Sequence, residues 1–561
     1  MTASLILPPA LALFLGAAIL TVARGWLRSA VMLLAPLAAL GLVWMVPDAS
    51  WGVGGYLGYD LVLVRGDRLS RWFGTIFAIM AFAGGLFALK QENRLETAAA
   101  QAYAGGALGV VFAGDVLTLF AFWEVMALAS TAVIWSAGPE ARPAGLRYLV
   151  MHLFGGVLLM TGLAGEVQAT GSVAFTAMVP DTPARWLILA GFLINAGAPP
   201  LSAWLPDAYP KASYTGMVML SAFTTKTAVF VLLRGFPGAE VLIWVGLFMV
   251  FYGIVYALLA DDMRRILSFS IINQVGVMLT GIGVGTTLAL DGAASHAFAS
   301  VLYTALMLMA AGAVMRGTGR ARLSELGGLF RSMPITTACG LIGVMTISGL
   351  PLTVGFVTKA MIGSAAAKEN LALVWYLMIP AAAGVALYAG CRFSWFAFFQ
   401  RDSGLRPPDP PWNMRLAMVF MAALCLLLGM VPDLLYAHLP YASIYNPYDG
   451  AHVVSQMQIV VFAALAFVLM IGVLRPSATI TLDTDWLYRR FGLTVWRLTS
   501  QAIWTVWYLT SLATWTLTVQ ALTELRLAVR EGFLSERHGS STMAIFAVGM
   551  LVFYLAVLLI F

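Results

Sequence analysis

ISGLPLTVGFVTKAMIG, residues 347–363, and TGMVMLSAFTTKTAVFVLL, residues 215–233, each place one lysine inside an otherwise apolar run. These lysines are Lys359 and Lys226. A charged side chain at the centre of a membrane helix costs about 2.5–3.5 kcal/mol on insertion scales, so it is rarely kept without a function or a partner. A third apolar run carries a carboxylate, Glu124. The set predicts an ion pathway through a bundle of membrane helices.

The composition of the whole chain is that of a polytopic membrane protein. Of 561 residues, 61% are hydrophobic and only 10% are charged. The net charge of +6 is dispersed over short loops, which argues against a nucleic-acid partner. The three cysteines lie in apolar segments without a CxxC pair, and no Gly-rich phosphate loop is present. We therefore expect no redox cofactor and no metal centre, and we expect the first apolar run to be a retained membrane helix.

Hydropathy predicts an all-α fold with about sixteen membrane spans, because about 20 apolar residues suffice to cross the hydrocarbon core. The predicted spans lie near residues 3–23, 29–46, 70–89, 98–114, 116–137, 145–166, 186–205, 214–233, 240–260, 266–286, 291–315, 335–366, 372–398, 413–431, 453–473 and 542–561. The twelfth is longer than one crossing requires. We expect it to be a broken helix.

Lysine and arginine predict the orientation of the spans. About 23 of the 32 basic residues fall in the loops after odd-numbered spans or in the stretch from Arg475 to Arg537. Basic loops face the cytoplasm. The bias therefore predicts a multi-pass protein of the cell (plasma or inner) membrane with both termini outside.

Proline and glycine interrupt two of the spans. In FLINAGAPPLSAWLPDAYP the pair Pro199 and Pro200 cannot continue a helical hydrogen-bond ladder, and Gly349 and Pro351 interrupt the twelfth span likewise. A single interruption is commonly a packing kink. Matching interruptions in two halves of a chain indicate a transporter built from inverted repeats, with its site near the membrane midplane.

Six motifs carry a resemblance to a known family. They are FWEVMAL around Glu124, RYLVMHLFGGVLLMTG, PPLSAWLPDAYPKAS, SAFTTKTAVFVLLRG, DDMRRILSFSIINQVG and SGLPLTVGFVTK. In order and spacing, over roughly residues 65–400, the chain resembles the antiporter-like subunits shared by respiratory complex I, membrane-bound hydrogenases and Mrp-type Na⁺/H⁺ antiporters. Two of the motifs look most like the D-type Mrp subunit.

The resemblance implies a fourteen-helix core with two inverted five-helix repeats, formed by spans four to eight and nine to thirteen. Each repeat would supply half of a proton channel, joined by a hydrated row of charged residues. The implied organisation has N-terminal spans, a first repeat, a second repeat, two further spans and a C-terminal extension, at residues 1–95, 96–235, 236–400, 401–475 and 476–561.

Three ionisable residues match the family's relay, namely Glu124 on the fifth span, Lys226 on the eighth and Lys359 on the twelfth. The family usually has a lysine on the seventh span that pairs with the glutamate, and Asn195 stands there instead. Glu124 is then left to pair with Lys226, to pair with His152, or to act as a neutral hydrogen-bonding group. Asn195 either weakens the relay or helps to bind Na⁺ through its carbonyl oxygen.

Further positions on the sixth, eleventh and thirteenth spans leave alternatives open. Ser300 and Thr304 stand where relatives carry a histidine and, in some members, a lysine. His296 matches a histidine of some members and either transfers protons or caps its helix. His152 either joins the path or is satisfied within the bundle. Arg392, the repeat counterpart of Lys226, either belongs to the path or reaches the cytoplasmic interface.

Residues 493–534 mix tryptophan with Thr, Ser, Gln and Arg at helical spacing. This pattern predicts an amphipathic helix that lies along the cytoplasmic membrane surface and clamps neighbouring subunits. The alternative is one more span.

These observations predict a proton-conducting subunit of a multisubunit membrane complex, with other antiporter-like and small membrane subunits as partners. The favoured interpretation is a Na⁺/H⁺ antiporter of Mrp type, a transporter and not an enzyme. One alternative couples the same channel to a redox arm or to an inorganic-carbon uptake partner. Another is a structural adaptor that has lost transport.

Overall fold

The computed structural model describes residues 7–56, 58–477, 483–530, 547–552 and 554–555. The chain divides into two units, Met1–Asp485 and Trp486–Phe561.

The first half of the larger unit is a bundle of helices whose last two spans, the seventh and the eighth, are interrupted. Its helices are α1 Pro9–Val22, α2 Gly25–Met45, α3 Arg68–Phe87, α4 Arg94–Phe112, α5 Val116–Trp135, α6 Arg142–Thr170, α7 Pro183–Ala196, α8 Trp204–Ala208, α9 Gly216–Leu220 and α10 Thr224–Gly235. The predicted seventh span is therefore α7 followed by the short α8. The predicted eighth span is α9 followed by α10.

The second half of this unit continues as helices with one further interrupted span. They are α11 Val241–Leu259, α12 Met263–Val284, α13 Thr287–Thr318, α14 Pro334–Ile347, α15 Val354–Lys368, α16 Ala372–Val385, α17 Trp412–Met430, α18 Asp433–Tyr436 and α19 Gly450–Met470. Two π-helical stretches, Ala386–Phe393 and Trp395–Phe399, extend α16.

Within the described residues, 11 helices are long and apolar enough to cross a membrane, and α1, α7 and α14 are shorter apolar helices. The fourth predicted span is the helix α4, which is almost entirely buried. The sixteenth predicted span, 542–561, lies mostly outside the described residues. The chain is thus a mainly helical, multi-pass membrane protein.

A two-stranded antiparallel sheet corrects the all-α prediction between α2 and α3. Its strands are β1 Ser50–Tyr56 and β2 Tyr59–Arg65. The backbone amide of Val62 in β2 donates a 2.8 Å hydrogen bond to Asp115, whose carboxylate also caps α5. The alternation in DLVLV is the sequence signal for this strand, and it was masked by the long apolar spans on either side.

Both predicted helix interruptions are confirmed. After α7 the chain leaves the helix at Gly197, whose φ is 79°, and helix resumes only at Trp204. Between α14 and α15 the backbone turns at Gly349, with φ of 72°. A positive φ costs glycine little, so this residue permits the turn.

A third interruption, between α9 and α10, was not predicted because the segment Ser221–Phe223 contains neither glycine nor proline. A buried tyrosine from α4 explains it. The backbone amide of Thr224 donates a 2.8 Å hydrogen bond to the hydroxyl oxygen of Tyr103, which also shares a 2.6 Å hydrogen bond with Thr224 Oγ1. Tertiary contact thus satisfies a backbone donor that the interrupted helix leaves free.

The smaller unit contains one long helix, α20, over Gly492–Arg530, preceded by a π-helical turn at Leu487–Phe491. Its 39 residues span about 58 Å. The predicted lateral helix of residues 493–534 therefore forms a single helix through residue 530.

Candidate ion-path site

Lys226 lies in the first turn of α10, directly after the interruption of the eighth span. Its side chain is 1% exposed, and its Nζ donates a 3.0 Å hydrogen bond to the carbonyl oxygen of Ser221. Ser221 follows the last residue of α9, so the ammonium group meets the end of a helix whose carbonyls carry partial negative charge. The break thus supplies a buried acceptor for the lysine without a carboxylate.

Lys359 repeats this arrangement at the interruption of the twelfth span. It lies on α15, and its Nζ donates a hydrogen bond to the carbonyl oxygen of Ile347, the last residue of α14. Unlike Lys226, it is partly exposed, because it lines a cavity of about 590 Å³. Two lysines in different halves of the chain therefore have equivalent partners.

His296 is fully buried and joins three helices. Its Nδ1 lies 3.1 Å from Thr358 Oγ1 on α15, and its Nε2 lies 3.0 Å from Gln274 Oε1 on α12. Lys226 and Lys359 both interact electrostatically with the imidazole of His296. The suggestion that this histidine caps its helix is wrong, because α13 begins at Thr287 and is capped by Thr286.

The hydrogen bonds around His296 accommodate either charge state of the imidazole. In a neutral ring, Nε2–H donates to Gln274 and Nδ1 accepts the hydroxyl proton of Thr358. In a charged ring, Nδ1–H donates to Thr358, whose hydroxyl then donates to the carbonyl oxygen of Val354 at 3.1 Å. Rotation of one hydroxyl group therefore suffices to satisfy a proton gained or lost.

In the first half of the chain, His152 is held by aromatic contacts. Its Nδ1 lies 2.9 Å from the carbonyl oxygen of Tyr148, and its ring stacks on Tyr148 and meets the edge of Trp204. The hydroxyl of Tyr148 donates to Ser130 and lies 3.4 Å from Thr224 Oγ1. Buried hydroxyls thus connect the surroundings of His152 to the first turn of α10, which carries Lys226.

Glu124 and Asn195 lie against consecutive glycines of α6. A methyl group on Gly156 would collide with Glu124 Oε1, and one on Gly155 would lie 3.6 Å from Asn195 Oδ1. In the part of the chain that the structure describes, Glu124 pairs with neither Lys226 nor His152. Both pairings offered by the sequence are therefore wrong for this conformation.

Several buried polar atoms of the candidate residues and of their neighbours in the chain have no protein partner. Among the described residues of the spans they include Glu124 Oε1, His152 Nε2, both amide atoms of Asn195, Ser202 Oγ, Thr225 Oγ1 and Thr227 Oγ1. Burying such atoms unpaired costs roughly 1–3 kcal/mol each, and water is their usual partner inside proteins. Unpartnered polar atoms of this kind indicate a site that water can enter.

Arg392 lies away from these groups, in the π-helical extension of α16. Its guanidinium donates hydrogen bonds to the carbonyl oxygens of Leu474 at 3.0 Å and Ala260 at 2.9 Å. These carbonyls follow the ends of α19 and α11. In this conformation Arg392 joins the ends of two helices.

Sequence reasoning missed several polar residues that surround the candidate groups. They are Tyr103, Tyr148, Gln274, Tyr303 and Thr358. In the sequence, each of these residues was visible only as a polar side chain at a buried helical position. Some of them lie inside the quoted motifs. Ser300 and Thr304 are both buried on α13. Within the described ranges no group of three or more His, Cys, Asp or Glu residues is placed to hold a metal ion.

A family profile described as "NADH:quinone oxidoreductase/Mrp antiporter, TM" matches residues 113–383, which include every ionisable candidate except Arg392. This segment of the chain belongs to the family. The resemblance predicted from the motifs is confirmed.

Relatives of the chain include antiporter subunits from bacteria. The chain is 28% identical over 448 residues to the probable A/B subunit of a K⁺/H⁺ antiporter from Rhizobium meliloti, covering 73% of this chain and 44% of the relative. It is 28% identical over 368 residues to the D subunit of a Na⁺/H⁺ antiporter from Alkalihalophilus pseudofirmus, covering 59% of this chain and 72% of the relative. The chain thus spans less than half the length of the first relative.

The fold of this antiporter-like protein matches a chain of the Mrp complex from Dietzia sp. DQ12-45-1b. The TM-score is 0.74 at 24% sequence identity, over 98% of this chain and 62% of that one. The two proteins share a fold at this level of identity.

Proposed function

We propose that this membrane protein conducts protons within a multisubunit cation/proton antiporter of Mrp type, with Na⁺ as the exchanged cation. The observation that carries the proposal is the equivalent placement of Lys226 and Lys359. Each donates to the carbonyl at the end of an interrupted helix, and neither has a carboxylate partner among the described residues. Without a fixed counter-ion, an ammonium group can release its proton at low cost.

Each proposed repeat would supply one half-channel. Residues 96–235 contain Lys226 beside the interruption of the eighth span, and residues 236–400 contain Lys359 beside that of the twelfth. These two lysines are not repeat counterparts, because the counterpart of Lys226 is Arg392. His296 would connect the halves, since both lysines lie within electrostatic range of it. The buried hydroxyls around Tyr148 would extend the path toward His152 and Glu124.

Water would complete the path in the first repeat. The unpartnered atoms of Glu124, His152 and Asn195 need hydrogen bonds that the described residues do not supply. The carbonyl oxygen of Asn195, beside Glu124, would offer Na⁺ a neutral oxygen ligand. The charge bias of the loops orients this path in the cell membrane with both termini outside and α20 on the cytoplasmic side.

Substitution of Lys359 tests the proposal. Proteoliposomes that contain the intact complex would be assayed for proton flux driven by a Na⁺ gradient. Lys359→Ala should assemble and lose most of this flux, about tenfold or more. Lys368→Ala is the matched control, because Lys368 is exposed at the end of the same helix. Wild-type flux in Lys359→Ala would refute the proposal.

A second candidate keeps the channel and changes its driving module. The family description includes NADH:quinone oxidoreductases, so the same fold serves redox-driven complexes. An inorganic-carbon uptake partner is another module of this kind. Subunits that copurify with the chain would distinguish these modules. A purely structural adaptor is disfavoured, because a chain without transport would not need two costly lysines inside its spans.

A further inference from the structure

A cavity of about 590 Å³ lies between α12, α15, α16 and α19, and Lys359 lines it. Its wall on α16 is apolar, including Trp375 and Met378. Its wall on α19 is polar and includes His452 and Gln456. None of the six motifs includes α19, and the path proposed above does not use it.

One hydrogen bond fastens α19 next to the acceptor of the lysine. Lys359 donates to the carbonyl oxygen of Ile347, and Gln456 Nε2 donates a 3.0 Å hydrogen bond to the next carbonyl, that of Ser348. His452 lies one turn before Gln456 on α19. Its ring lies 4.8 Å from the ring of Phe356, which precedes Lys359 by one turn on α15. Lysine and histidine therefore border one cavity from two helices held in fixed register.

We propose that His452 carries protons between Lys359 and the external face through this cavity. The inference rests on the proposed function, because it names the external end of that path. A proton leaves the ammonium group of Lys359, which becomes a neutral amine, and reaches the free ring nitrogen of His452 through water. The other ring nitrogen releases its proton to the external side, and the ring returns to its neutral form.

The position of His452 along α19 favours this role. The helix begins at Gly450, so His452 lies at the end that follows the segment 431–449. The loop charges predict this end to be external. A direct route over the start of α15 is covered by the same segment, because Tyr436 donates to the carbonyl oxygen of Val357 and the amide of Leu352 donates to Tyr448.

Other titratable groups near His452 suit the role less well. The described titratable groups on the elements packed against His452 are Lys359 on α15, Asp449 before α19, and Tyr445 and Tyr448 in the segment that precedes α19. Burial raises the pKa of both Tyr445 and Tyr448, so these phenols keep their protons at neutral pH. The cavity wall on α16 contributes no titratable side chain. An imidazole is suited to exchange protons near pH 7.

The test uses the intact complex in proteoliposomes, with His452→Gln and His452→Ala compared with wild type. His438→Gln is the matched control, because His438 follows α18 on the same side and is exposed. We expect about a tenfold loss of flux in both His452 variants, no loss in the control, and recovery of His452→Ala by millimolar external imidazole. Native gels confirm that equal amounts of complex are compared.

Each other outcome overturns the inference. Flux within twofold of wild type in His452→Gln would remove His452 from the path. Lost flux that imidazole does not restore in His452→Ala would assign His452 a positioning role only. Lys359→Ala separates the two proposals. If that variant is inactive while His452→Gln is normal, only the external end is wrong, whereas normal flux in Lys359→Ala refutes the whole path.

Discussion

Lys226 donates its 3.0 Å hydrogen bond to the carbonyl oxygen of Ser221, five residues earlier and across the gap between α9 and α10. In a continuous helix this carbonyl would accept from the backbone amide four residues later. The interruption therefore gives the ammonium group its partner. The same relationship between Lys359 and Ile347 shows that it is a property of both halves of the chain.

Tyr103 should be necessary for this arrangement, since its hydroxyl accepts the amide of Thr224 where α10 begins. Tyr103→Phe leaves that buried donor unpaired, at about 1–3 kcal/mol. We expect lower thermal stability of the complex and several-fold lower proton flux, measured in proteoliposomes. Tyr376→Phe is the control, because Tyr376 is 62% exposed on α16. Equal flux in the two variants would contradict the assigned role of Tyr103.

Gly156 permits Glu124 to approach α6. In Gly156→Ala the new methyl group must displace the Glu124 carboxylate, because it would collide with Oε1. We expect assembly to persist and flux to fall by about tenfold. Gly41→Ala adds a methyl group that meets nothing within 4 Å, so it should leave flux unchanged. Normal flux in Gly156→Ala would mean that the position of Glu124 is unimportant.

Asn195→Lys introduces the residue type that the family resemblance implies at this position. If the Asn195 carbonyl binds Na⁺, the added ammonium repels the cation and transport falls, with a higher Na⁺ concentration needed for half-maximal flux. We expect this outcome. Transport that rises with an unchanged Na⁺ response would instead indicate a restored ion pair with Glu124. An unaltered response in both rate and Na⁺ dependence would make Asn195 a bystander.

Arg392 should contribute to stability more than to transport, because it bonds the carbonyls that follow α11 and α19. Arg392→Met removes these charge-assisted hydrogen bonds, at about 1–3 kcal/mol. We expect a lower midpoint of thermal unfolding and unchanged flux per assembled particle. Arg401→Met, at an exposed position, should change neither quantity. A loss of flux without a loss of stability would return Arg392 to the ion path.

Truncation after Asp485 tests the long helix α20 as a clamp between subunits. The cut falls at the boundary of the two units and keeps Asp483, which accepts a hydrogen bond from Tyr252. Native gels should show less assembled complex, while flux per assembled particle remains near that of wild type. Normal assembly with lost transport would contradict the clamp and make the extension part of the coupling machinery.

The sequence by itself determined the membrane class, the family and two of the helix interruptions. Long apolar runs admit only helices in lipid, and Pro200 and Gly349 break a helix for local reasons. It also singled out Lys226, Lys359 and His296 as candidates, because ionisable residues in apolar runs are conspicuous in a single chain.

Only the tertiary structure decided which partners these residues have. The break beside Lys226 depends on Tyr103 from another helix, and the hydrogen bonds of His296 come from α12 and α15. The sequence offered two partners for Glu124, and the fold uses neither. His452 escaped notice because it borders Lys359 across a cavity between helices that are distant in the chain. Such contacts depend on how helices pack, which the local pattern of a sequence does not encode.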